Sequence, residues 1–94
     1  MFSLVYLTAD SHNVIAEPLR SAGYQVWEVF NVAEALWTCS QYYVNVILID
    51  AAFQDPEVAV LNARYLTIQL KPAATEKDAA RELAFLLSHN SATA

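Results

Sequence analysis

One glycine in 94 residues leaves this chain without the glycine-rich turns that cradle phosphates and without a long flexible linker. A single cysteine, Cys39, can close no disulfide within the chain. Basic residues are scarce: five Lys plus Arg stand against ten Asp plus Glu, a net charge of −5. That balance disfavours nonspecific binding to nucleic acid or anionic lipid and points to proteins or small ligands as partners. No apolar run approaches the ~18 residues of a spanning helix, and the amino terminus lacks the pattern of a secretory signal, so a soluble cytoplasmic protein is expected. What the chain does have is apolar residues, 56% hydrophobic against 16% charged, enough for one small packed domain and too short for a second catalytic one.

Strand-like and helix-like patterns alternate along the chain with short punctuation, the signature of βαβ units and a mostly parallel sheet. Strands are expected near residues 2–8, 24–30, 44–50 and 65–70. The runs at 4–7 and 46–49 are continuously apolar, as in central strands covered on both faces, whereas Gln25-Val26-Trp27-Glu28-Val29 alternates like an edge strand. A first helix is expected from an N-cap at Ser11, turning Val14, Ile15 and Leu19 to the sheet, kinked or shortened at Pro18 and stopped by Gly23. A second is expected over 32–41 with Ala33, Leu36, Trp37 and Ser40 as its inner face, and a third over 56–64 after an Asp55 cap. The last starts at Thr75 and buries Ala79, Ala80, Leu83, Leu86 and Leu87, which gives a domain over 1–88 and a disordered tail over 89–94.

Charged groups sit where these strands end. Asp10 closes the first apolar run, Asp50 the third and Lys71 the fourth, and the carboxyl ends of parallel strands are where ligands and chemistry collect. Two carboxylates and one ammonium on three strand tips can converge on a shallow pocket.

Several motifs, in this order, resemble the receiver domains of response regulators, the CheY-like fold of two-component signalling. Gly23-Tyr24-Gln25-Val26 is similar to that family's exit from its first helix, and Ala33-Glu34-Ala35-Leu36 to its second-helix signature. Val46-Ile47-Leu48-Ile49-Asp50 resembles the strand that ends in the phosphoacceptor, and Lys71-Pro72 the lysine and proline of the last strand. The resemblance implies a flavodoxin-like, three-layer αβα fold with strand order 2-1-3-4. It also implies Asp50 as phosphoacceptor, Lys71 as its cation, and weak Mg²⁺ binding by Asp10, Asp50 and the Ala52 carbonyl. Departures accompany the matches. Asp50 and Lys71 are 21 positions apart, room for one βα unit where the family places two, so a unit is missing together with its switch hydroxyl. The family's acidic pair is reduced to Ala9-Asp10, and Phe53-Gln54 replaces the usual aliphatic residue and proline.

The plainer reading of the same residues is that Asp10 and Asp50 cap the backbone that follows them while Lys71 pairs with Asp50. His12 and His89 read as solvent-facing, Cys39 as a small helix-face residue, and Ser11-His12-Asp10 as neighbours that cannot form a triad. Trp27, Trp37, Tyr42 and Tyr43 fill the space between helix and sheet or form a protein-binding patch. With the missing unit, Tyr65, Leu66 and Ile68 lie on an apolar sheet edge that invites pairing, so a homodimer or a heteromeric partner is expected. The expected function is that of a truncated receiver-like module, not an enzyme, acting through protein contacts with a histidine kinase or another signalling protein. The alternative is a working phosphoacceptor with Mg²⁺, and a nucleotide-binding domain would need the glycines the chain lacks.

Overall fold

A computed structural model describes residues 2–72 and 75–93, with side chains through residue 86. The two continuous apolar runs become β1 (Ser3–Leu7) and β3 (Val46–Ile49), in which every residue is buried. They pair with each other at the centre of the sheet, Leu4 opposite Val46 through Leu7 opposite Ile49. β2 (Gln25–Val29) flanks β1, and β4 (Thr67–Gln69) flanks β3. All neighbours are parallel and the order is β2-β1-β3-β4, the order that the resemblance implies.

Alternation along the strands builds a core on each face. Leu4, Tyr6, Val26, Val46 and Leu48 pack beneath α1 (Ala16–Ser21) and α4 (Glu76–Thr93). Val5, Leu7, Val29, Ile47 and Ile49 pack beneath α2 (Val32–Gln41) and α3 (Val58–Arg64). The result is a three-layer αβα fold in which each fully buried large side chain contributes about 1.5–3 kcal/mol of burial free energy before entropy is set against it. α4 is helical beyond residue 88, where the sequence set a tail; the side chains of Leu87 and His89, and Ala94 altogether, lie outside the described residues.

The helices depart from the sequence reading in start and in phase. α1 begins at Ala16 and not near Ser11: its cap residue is Ile15, which makes no side-chain capping bond, and the Asn13 side chain, in the loop ahead of it, accepts from the N–H groups of Ile15 (3.1 Å) and Ala16 (2.9 Å). Val14 then lies before the helix and is 69% exposed, not turned to the sheet. Pro18 falls in the first turn, where its missing N–H had no partner to lose, so it neither breaks a bond nor sits in a helix interior. Gly23 ends α1 with φ +104°, its N–H donating to Arg20 O and that of Tyr24 to Leu19 O, the paired bonds of a Schellman turn. In α2 the buried residues are Val32, Ala35 and Thr38; of the expected Ala33, Leu36, Trp37 and Ser40, Leu36 is half-buried against the core and the other three are exposed. Small Ala35 and Thr38 let α2 approach the sheet; an indole there would hold it off. Cys39 is half-buried on this helix, packed beside the core, and burial pushes its thiol pKa up. α3 starts at Val58, two residues later than expected, because Asp55 accepts from Glu57 N–H through its side chain and from Val58 N–H through its carbonyl.

Candidate functional site

The parallel register carries the tips of β1, β3 and β4 to one rim. Leu7 lies beside Ile49 and Ile49 beside Gln69, so Thr8, Asp50 and Leu70 follow side by side. The ladder continues past the strands: Asp50 N–H donates to Leu7 O at 2.9 Å and Leu70 N–H to Ile49 O at 2.9 Å. Backbone bonds therefore fix where the Asp50 side chain leaves the sheet.

Thr8, fully buried, organises what surrounds it. Its hydroxyl donates to Asp50 Oδ2 at 2.7 Å and accepts from the Asp10 N–H at 3.0 Å. Asp10 in turn accepts from His12 N–H at 2.8 Å through Oδ1, which folds the loop back on itself. Asn13 ties that loop to β2, donating through Nδ2 to the Asp10 carbonyl and to Glu28 Oε2. On the far side Gln69 Nε2 donates to the Asp50 carbonyl at 3.0 Å, and the Ala52 N–H makes a long 3.4 Å bond to Asp50 Oδ1. Asp10 and Asp50 thus share one rim through Thr8, and each also holds its loop, as carboxylates that cap backbone do.

Lys71 behaves otherwise. It is exposed and lines a hollow of about 280 Å³ with Leu70, Pro72 and residues Asp78, Arg81 and Glu82 of α4. Among the described residues the ion pairs within 4 Å join Arg20 to Glu17 and Glu28, and Arg81 to Asp78, so the expected pairing of Lys71 with Asp50 is not made. No group of three His, Cys, Asp or Glu side chains among the described residues surrounds a common point, so the expected ligand set has no more than its two carboxylates, Asp10 and Asp50, beside the Ala52 carbonyl. A two-carboxylate set favours weak, water-rich coordination.

Compared with known proteins, the chain matches no family model, no curated protein and no solved structure. Its chemistry is read from its own geometry.

Below the rim, Tyr6 is 1% exposed and its phenol pKa is pushed up to about 12, first by burial and then by the field of Asp50. Tyr6 and Thr8 are the functional neighbours that sequence reading passed over. The signal for them was spacing: Tyr6 and Thr8 share one face of the strand that leads to Asp10.

The expected interface residues fall into two groups. Around β2 and α2, Trp27 stacks on Tyr42 with centroids 5.0 Å apart, while Trp37 and Tyr43 are 61% and 82% exposed. At the other edge Tyr65 and Ile68 are half-buried against the two cores and Leu66 is exposed. Asn62 and Thr67 share a side-chain hydrogen bond across the turn between α3 and β4.

Proposed function

We propose that the protein is a binding module of receiver-like architecture that works through protein contacts, with Asp50 holding the rim together and not accepting a phosphoryl group. The observation that carries this reading is the state of Asp50: Oδ2 receives the Thr8 hydroxyl at 2.7 Å, and Lys71 forms no ion pair with it. Phosphoryl transfer to a carboxylate requires an attacking oxygen held in line and fixed positive charge for the transferred oxygens. Here the hydroxyl occupies one oxygen and the ammonium lies on the α4 side. Exposed Trp37 and Tyr43 supply anchors of the kind that dominate protein interfaces. β4, three residues long and, among the described residues, with no strand beyond it, supplies an edge for a second copy. The protein is proposed to act in the cytoplasm; no helix among the described residues is long and apolar enough to cross a membrane.

Acetyl phosphate with Mg²⁺, followed by intact mass, tests the reading: the mass is expected to stay that of the untreated chain. A stoichiometric adduct that is lost in Asp50→Asn would overturn it in favour of the phosphoacceptor. That second reading draws on one observation, the coupling of Asp10 and Asp50 through Thr8 at the carboxyl rim.

A further inference from the structure

We infer that the groove between the outer edge of β2 and α2 is a docking site for an extended, basic peptide segment of a partner protein, an inference that rests on the binding-module reading. The groove, about 610 Å³, is lined by Arg20, Val26, Glu28, Ala33, Glu34 and Trp37 among others. It takes its shape from the phase of α2. Because Val32, Ala35 and Thr38 face the sheet, Trp37 is turned outward. Helical side chains lean toward the helix N-terminus, so the indole lies over the turn that carries Ala33, whose methyl leaves room beneath it.

Charge selects the occupant. Within residues 1–63 Arg20 is the one basic residue, against seven acids: Asp10, Glu17, Glu28, Glu34, Asp50, Asp55 and Glu57. At the groove that guanidinium is shared, 2.5 Å from Glu17 and 3.3 Å from Glu28. Glu34, in the first turn of α2, has as its side-chain partner the neutral amide of Asn31, at 3.0 Å, and among the described residues no cationic side chain pairs with it. Two carboxylates, Glu28 and Glu34, thus line the groove with one cation, itself shared with Glu17 outside it, beside an exposed indole. An aromatic face next to unbalanced carboxylate is the chemistry that receives a guanidinium or ammonium group.

Backbone geometry selects an extended chain. β1 takes the Val29 carbonyl and offers one to the Gln25 N–H, so the alternate residues Val26 and Glu28 direct their backbone groups away from the sheet. At Val26 the outward carbonyl already receives Arg20, at 3.3 Å from Nε and 3.0 Å from Nη2, a side chain standing where an added strand would place its N–H. Farther along, the outer edge at Glu28 has no strand beside it among the described residues. A segment laid there pairs with the Glu28 backbone and sends alternate side chains toward Trp37 and Glu34, the β-augmentation mode of recognition.

The test uses the full chain and two labelled peptides, one alternating arginine with valine and one with glutamate in place of arginine, followed by fluorescence anisotropy. Saturable binding is expected for the basic peptide alone, weakening as salt rises. Trp37→Ala and Ala33→Arg, both exposed changes whose folding is checked by circular dichroism, are each expected to weaken it by about tenfold or more. Glu34→Gln is expected to weaken it less. Absence of saturable binding, equal binding of the two peptides, or insensitivity to Trp37→Ala would each overturn the proposal. So would a dimer formed without peptide and abolished by Trp37→Ala, which would assign the groove to a second copy. These outcomes leave the phosphodonor result untouched, whereas an adduct on Asp50 overturns the binding-module reading whatever the peptide does.

Discussion

At Thr8 one hydroxyl serves two neighbours, giving its proton to Asp50 Oδ2 and receiving the Asp10 N–H, so the two acids are positioned by a group that carries no charge. Behind it the Tyr6 phenol is buried, and removing its proton would place an anion in apolar surroundings near Asp50. The consequence for stability has a definite sign. The phenol's pKa is about 12 in the folded chain against 10.0 when unfolded, so the stability tied to its proton is fully present below pH 10.0 and is lost as pH rises toward 12. Wild type should therefore lose on the order of 1 kcal/mol more than Tyr6→Phe between roughly pH 9 and roughly pH 11. Urea unfolding of the two proteins across that range measures the difference; parallel curves would show that Tyr6 ionises as freely folded as unfolded.

At the scale of single elements, Gly23 closes α1 with a positive φ, and a Cβ built there meets no heavy atom within 4 Å. The cost of a side chain is therefore backbone strain alone. Gly23→Ala is expected to lower stability by about 1–2 kcal/mol and Gly23→Asn by less, read as a shift in urea midpoint at constant m-value. A Gly23→Ala midpoint equal to wild type would show that the chain leaves α1 by another route. This ending was legible because glycine is the residue such a turn demands, just as β1 and β3 were legible from apolar runs with no polar break. The phase of α2 was not legible: its sequence offers apolar residues on adjoining faces, and the choice between them is made by how closely the helix meets the sheet. The start of α1 was hidden because its cap residue is Ile15, an apolar residue that gives no capping signal, while residues 10–13 form a loop bonded to Thr8. At the site, Asp10 and Asp50 could be placed by counting to the end of a strand. Thr8 read as one more β-branched strand residue, and the direction taken by Lys71 depends on α4, far along the chain.

For the molecule as a whole, the central strands are shared property. Leu4, Tyr6, Val46 and Leu48 belong to one core, and Val5, Leu7, Ile47 and Ile49 to the other, so neither layer can open without baring the back of β1 and β3. The Cα radius of gyration, 12.4 Å, is that of a single compact body of this length. Folding should then be all-or-none even though the two cores touch different helices. Leu83→Ala probes this, because Leu83, on α4, is fully buried in the α1–α4 core, while both tryptophans report from the β2–α2 side. The substitution is expected to cost about 2–5 kcal/mol, a large share of the ~5–15 kcal/mol a domain possesses. Far-ultraviolet ellipticity and tryptophan fluorescence should shift together to one lower urea midpoint. If fluorescence keeps the wild-type midpoint while ellipticity falls earlier, the α1–α4 layer melts alone, and β1 and β3 do not couple the two halves.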